Sequence, residues 1–100
     1  MDKEDLKKAM QQAQSVQMGL VRAQEELAHK DIEASSLNGL VTLTMSAEGQ
    51  YKSIKIDPKA LKFSHSVLEE SVLQVITEAN QKAAELTRIK LAELTKQLGL

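Results

Sequence analysis

The stretch "GLVTLTMSAEGQYKSIKIDP", residues 39–58, decides the fold. Val41, Leu43 and Met45 alternate with Thr42, Thr44 and Ser46, the period-two pattern of a strand with one face buried. Glu48-Gly49 turns the chain. Ile54 and Ile56 then continue the apolar face, with Tyr51, Ser53 and Lys55 opposite. Parity places Lys52 and Lys55 on opposite faces of this strand, so they form no single basic patch. Asp57-Pro58 ends it, because proline cannot donate to a ladder and restricts the residue before it. Upstream, Ile32 and Ala34 alternate with Glu33 and Ser35 in a shorter strand, and Asn38-Gly39 supplies the turn between the two. The spacing predicts three antiparallel strands over about 31–36, 39–46 and 50–57.

Outward from this segment the period changes. Leu6, Ala9, Ala13, Val16, Leu20, Ala23 and Leu27 fall at heptad spacing among Gln, Glu and Lys, which predicts a helix over about 3–28. Its length would be roughly 39 Å at 1.5 Å per residue. Asp2 is placed to cap it, Glu4 and Asp5 suit the positive end of its dipole, and Gly19 is its one weak former. On the other side, Ser66 and Glu69 read as a capping box opening a helix over about 66–98. Its stripe runs Leu68, Val72, Val75, Ile76, Ala79, Ala83, Leu86, Leu91, Leu94 and Leu98, and Gly99 is placed to stop it. The fold class is α+β, one domain over 1–100 in the order α-β-β-β-α. Strands of about 20 to 27 Å are shorter than either helix, so part of each apolar stripe outruns the sheet, and a symmetric dimer would cover it.

Composition narrows the chemistry. The chain of 100 residues has no Cys, which removes disulfides, thiolate catalysis and Cys-ligated metals. Tyr51 and Phe63 are the only aromatic residues, so the core is aliphatic. Thirteen Lys and Arg against fourteen Asp and Glu give a net charge of −1, and any affinity for phosphate must come from local arrangement. No apolar run reaches the roughly 18 residues of a membrane span, and the charged N-terminus is no signal-peptide core, so a cytoplasmic, membrane-free protein is expected.

His29 and His65 each stand alone, Asp57 before Pro58 reads as a turn residue, and the glycines at 19, 39, 49 and 99 form no phosphate loop. The chain offers no nucleophile with its base. It reads as a non-enzyme without metal, cofactor or small-molecule substrate. Basic residues gather in two places. Lys52, Lys55, Lys59 and Lys62 face one acid, Asp57, between Gln50 and Lys62. Lys82, Arg88, Lys90 and Lys96 outnumber Glu85 and Glu93 in the last helix. Edge protection accounts for the strand lysines, and complementarity to the helix dipole accounts for the helical ones. No basic-aromatic interleaving suggests stacking on single strands.

The central wording "LNGLVTLTMSAEGQYKSIKIDPKAL" resembles the YbaB/EbfC family of nucleoid-associated proteins, with its Gly-Leu-Val-x-Val-x-Met strand, glycine turn and Val-x-Ile-Asp-Pro strand end. The helices "MQQAQSVQMGLVRAQEELA" and "VITEANQKAAELTRIKLAEL" are similar to those of the family. Family members carry a glycine-rich approach to the second strand, where this chain has Ser35, Ser36, Leu37 and Asn38 before a single Gly39. The resemblance implies a homodimer with projecting helices, likened to tweezers, that binds DNA in the nucleoid and contributes to its organisation and to gene regulation. On that reading, double-stranded DNA would be held by phosphate contacts from Lys7, Lys8, Arg22, Lys82, Arg88, Lys90 and Lys96. A second reading stays open, a protein-interaction module such as a prefoldin-like chaperone subunit or an adaptor.

Overall fold

The computed structural model describes residues 2–99. Helix α1 (Lys3–Ala28) is followed by strands β1 (Asp31–Ser35), β2 (Val41–Ser46) and β3 (Tyr51–Ile56), a short 3-10 helix (Pro58–Lys62) and helix α2 (His65–Gln97). The strands form one antiparallel sheet in the order β1-β2-β3, giving the expected α-β-β-β-α architecture. One face of the sheet presents Ile32 and Ala34 from β1 and Val41, Leu43 and Met45 from β2. The first half of α2 packs on that face through Val75, Ala79 and Ala83, small residues that let helix and strands approach closely. Each large side chain fully buried here contributes about 1.5 to 3 kcal/mol.

The turn between β1 and β2 is fixed by side chains. Ser36 Oγ donates to Asn38 Oδ1 at 2.6 Å, which also accepts from the Leu40 N–H, and Asn38 Nδ2 donates to the buried Ser71 Oγ of α2 at 2.8 Å. Gly39 at φ 72 completes the reversal in a region that side-chain-bearing residues rarely adopt.

Three local expectations are corrected. Asp2 has N-cap backbone geometry, but its side chain makes no capping hydrogen bond. The second helix begins one residue earlier than expected and is capped by Ser64 Oγ, which accepts from Val67 N–H at 3.4 Å, rather than by Ser66. The reason lies upstream. Asp57 Oδ1 accepts from Lys59 N–H at 2.9 Å and opens a 3-10 turn in what reads as a loop, and its exit leaves Ser64 in the extended geometry of an N-cap.

The third correction is a β-bulge. Thr44 pairs with Ser53 but Met45 pairs with Tyr51, so Lys52 is the extra residue. Alternation therefore slips once in β3. Tyr51 lies on the helix-covered face, its hydroxyl donating to Asn80 Oδ1 of α2 at 3.0 Å, instead of opposite Ile54 and Ile56 as parity predicts. Lys52 moves to the outer face, where its Nζ reaches Asp31 Oδ1 at 2.5 Å, and so it shares a face with Lys55 after all.

The two helices run antiparallel. Leu27 lies near Leu86, Glu26 pairs with Lys90, and Gly19 meets Leu94. A Cβ at Gly19 would stand 2.5 Å from Leu94 Cδ1, so the missing side chain sets the helix separation. Helix α2 ends three residues after Leu94, and every α1 residue from Lys3 to Ser15 is exposed, an overhang about 20 Å long. The molecule is accordingly rod-like, measuring 73 × 18 × 16 Å.

Candidate nucleic-acid interface

Of the 13 Lys and Arg residues, four are tied into ion pairs among the described residues. Three of these lie on α2. Lys82 Nζ sits 3.1 Å from Glu78 Oε1 one turn earlier and donates to the Glu33 carbonyl of β1 at 2.9 Å, stitching α2 to the sheet. Arg88 grips Glu85 with two N–H groups, at 2.5 and 3.1 Å. That hydrogen bond holds the Glu85 carboxyl below its ordinary value and raises the Arg88 guanidinium further. Lys90 bridges the helices to Glu26 and also stands 3.9 Å from Glu93. The hydrogen bond that Lys90 donates to the Glu26 carboxylate raises its ammonium above its ordinary 10.5.

The other four residues singled out from the sequence carry no such partner among the described residues. Lys7 and Lys8 stand on the α1 overhang, and Lys96 lies in the last turn of α2. Arg22 lines the groove between the helices together with Glu26, Lys90, Glu93 and Gln97. The structure thus brings Arg22 and Lys90 into one groove, while about 15 residues of helix, roughly 22 Å, separate Arg22 from Lys7.

Sequence reasoning set aside the second group of unpaired cations. Lys55, Lys59 and Lys62 surround the end of β3 and the 3-10 turn without ion pairs among the described residues. Among the described residues, clusters of unpaired cations therefore mark both ends of the rod, Lys3, Lys7 and Lys8 at one and Lys55, Lys59 and Lys62 at the other, with Arg22, Lys30 and Lys96 unpaired between them. The lysines of mid-α2 are neutralised. The signal was present in the run from Lys52 to Lys62 and was masked by the parity argument that the bulge overturns.

Beside α2 the sheet is only partly covered. Ile54 and Ile56 of β3 pair with Leu43 and Val41 and so share their face, yet they are 47% and 48% exposed. Leu73, seven residues before the Asn80 that holds Tyr51, lies on the same side of α2 and is 64% exposed. Phe63, Leu61 and Leu68 close the end of this trough against Ile56. The described residues contain no cluster of three or more His, Asp or Glu side chains placed to hold a metal, and no helix among them is long and apolar enough to cross a membrane.

The profile of the YbaB/EbfC DNA-binding family matches residues 2–98. A nucleoid-associated protein of Synechocystis sp. is 41% identical over 96 residues, 96% of this chain and 84% of that protein. One of Saccharopolyspora erythraea is 38% identical over 96 residues, 95% of this chain and 83% of its own. In fold, an uncharacterized Helicobacter pylori protein superposes with a TM-score of 0.73 at 16% identity, covering 92% of this chain and 94% of that one. The wording of the central hairpin, the order of its elements and the match across almost the whole length agree, and the chain belongs to the YbaB/EbfC DNA-binding family.

Proposed function

We propose that this protein is a nucleoid-associated protein that binds double-stranded DNA as a homodimer, acting in the cytoplasm on nucleoid organisation and gene regulation. Family membership is the observation that carries this reading. The contacts are phosphate contacts from cations, which give affinity with little sequence discrimination. Lys7, Lys8, Arg22 and Lys96 are available as they stand. Lys82, Arg88 and Lys90 join by exchanging a carboxylate for a phosphate, a small loss because exposed ion pairs contribute only about 0 to 1 kcal/mol. The uncovered trough along β3 supports the dimer. Its apolar floor of Ile54 and Ile56 has room for a second helix beside α2, and the α2 of another copy brings a matching Leu73.

Anisotropy titration of a labelled duplex between about 50 and 200 mM salt tests the binding, with log affinity expected to fall by about 0.9 per phosphate neutralised for each unit of log salt. Charge reversal of Lys7 and Lys8 together should weaken binding at least tenfold and flatten the slope, with Arg88→Glu having a smaller effect. A weak affinity indifferent to salt would count against the whole reading. Replacing Ile54 with Glu should yield monomers in sedimentation. An unchanged mass would move the dimer interface elsewhere.

A further inference from the structure

Asn38 is followed by Gly39, the pairing in which a side-chain amide is most open to attack by the next backbone nitrogen, because glycine has no Cβ to crowd the approach. The chain's other asparagine, Asn80, precedes Gln81 inside α2, where the helix fixes the backbone. Asn38 and Gly39 are both exposed, so water reaches them, and nothing lies within 4 Å of the position a Cβ on Gly39 would take. The Asn38 side chain is nevertheless held at both polar atoms. Its Oδ1 accepts from Ser36 Oγ at 2.6 Å and from Leu40 N–H at 3.1 Å, and its Nδ2 donates to Ser71 Oγ at 2.8 Å. The Gly39 N–H itself donates to the Ser36 carbonyl at 3.0 Å.

We infer that Asn38 is a site of spontaneous deamidation, gated by opening of the β1–β2 turn, and that the change releases the turn from α2 in one direction only. The Gly39 amide nitrogen, on losing its proton, attacks Asn38 Cγ. A C–N bond forms, the Cγ–Nδ2 bond breaks, the expelled nitrogen takes up a proton and leaves as ammonia, and a five-membered succinimide remains. Water then opens the ring at either carbonyl to give aspartate or isoaspartate, so one water is exchanged for one ammonia and nothing is oxidised or reduced. In the closed turn the proton to be lost lies in the hydrogen bond to Ser36, and the amide to be attacked is fixed by three others, so reaction waits on local opening. The product cannot restore the closed turn. A carboxylate has no N–H to give Ser71, whose own hydroxyl proton is engaged by the Val67 carbonyl at 2.8 Å in a buried position. Isoaspartate also adds a carbon to the main chain between Ser36 and Val41, the residues whose mutual hydrogen bonds close the turn. The inference does not rest on the DNA-binding reading.

Intact mass and peptide mapping of the full chain, incubated at about pH 8, follow the reaction, each event adding roughly 1 Da at Asn38. In urea Asn38 should react at least tenfold faster than in the folded chain, and at least tenfold faster than Asn80 in the same urea. Ser71→Ala, with folding verified by circular dichroism, should speed the folded reaction about fivefold and leave the urea rate unchanged. Gly39→Ala should slow the urea reaction at least tenfold, a comparison that needs no folded variant. Asn38→Asp, which stands in for one product, should show faster amide exchange at Leu40 and Val41 than the parent. Equal folded and urea rates would overturn the gating, and a urea rate at Asn38 no greater than at Asn80 would overturn the site. Unchanged exchange in Asn38→Asp would overturn the release from α2.

Discussion

The two ends of the rod are held together in different ways. At the sheet end, α2 lies on β1 and β2 over a continuous aliphatic core, and buried polar groups such as Ser71 are satisfied by Val67 and Asn38. At the arm end, α1 meets α2 along a strip of small residues with one bridging ion pair, and its first 13 residues, Lys3 to Ser15, are all exposed. The core specifies the fold, and the arm projects chemistry away from it. Heptad spacing alone does not separate these uses, since Ala23 is buried while Leu6 and Leu20 of the same repeat stand in solvent.

The difference is open to attack from either end. Met45→Ala, at a side chain 1% exposed, should cost about 2 to 5 kcal/mol in urea unfolding and lower the stability of the whole chain. Gly19→Val should cost about 1 to 3 kcal/mol by forcing Leu94 aside. By hydrogen exchange its effect should fall on α1 and the end of α2, with β2 protection unchanged; equal loosening of β2 would show that arm and body are one cooperative unit. Ser71→Ala should cost about 1 kcal/mol and loosen the β1–β2 turn, visible as faster exchange at Leu40 and Val41.

The smallest effect belongs to pH. Lys90 has its value raised above 10.5 by Glu26, so its contribution to joining the helices is present below 10.5 and is lost as pH rises through the elevated value. Glu85 is lowered below 4.5 by Arg88, so its contribution is present above 4.5 and fades as pH falls through the lowered value. Glu26→Gln should remove the alkaline dependence of α1 protection and leave the acid limb intact.

Much of this was legible from residues 39–58, because period-two alternation and glycine turns are local signals that tertiary packing reinforces. What escaped depended on relations between elements. The bulge at Lys52 leaves no mark in composition, yet it moves Tyr51 to the helix face and Lys52 to the outer face. The Ser64 cap was hidden because the turn made by Asp57 and Pro58 decides where α2 can begin. Gly19 reads as a weakness within its own helix and becomes meaningful only once Leu94 is opposite. At the interface, the sequence supplied the cations but not their partners. Glu26 is 64 residues from Lys90 in the chain, and only the antiparallel arm brings them together.

The shape of the rod has a metric consequence. Its radius of gyration is 20.2 Å, where a compact chain of this length has about 13 Å. Its 73 Å axis matches the rise of roughly 21 base pairs of duplex. With unpaired lysines at both tips and Arg22, Lys30 and Lys96 between them, free positive charge is spread along the rod, so on the proposed duplex-binding reading the spacing of cations, rather than their density, is the quantity that its length sets.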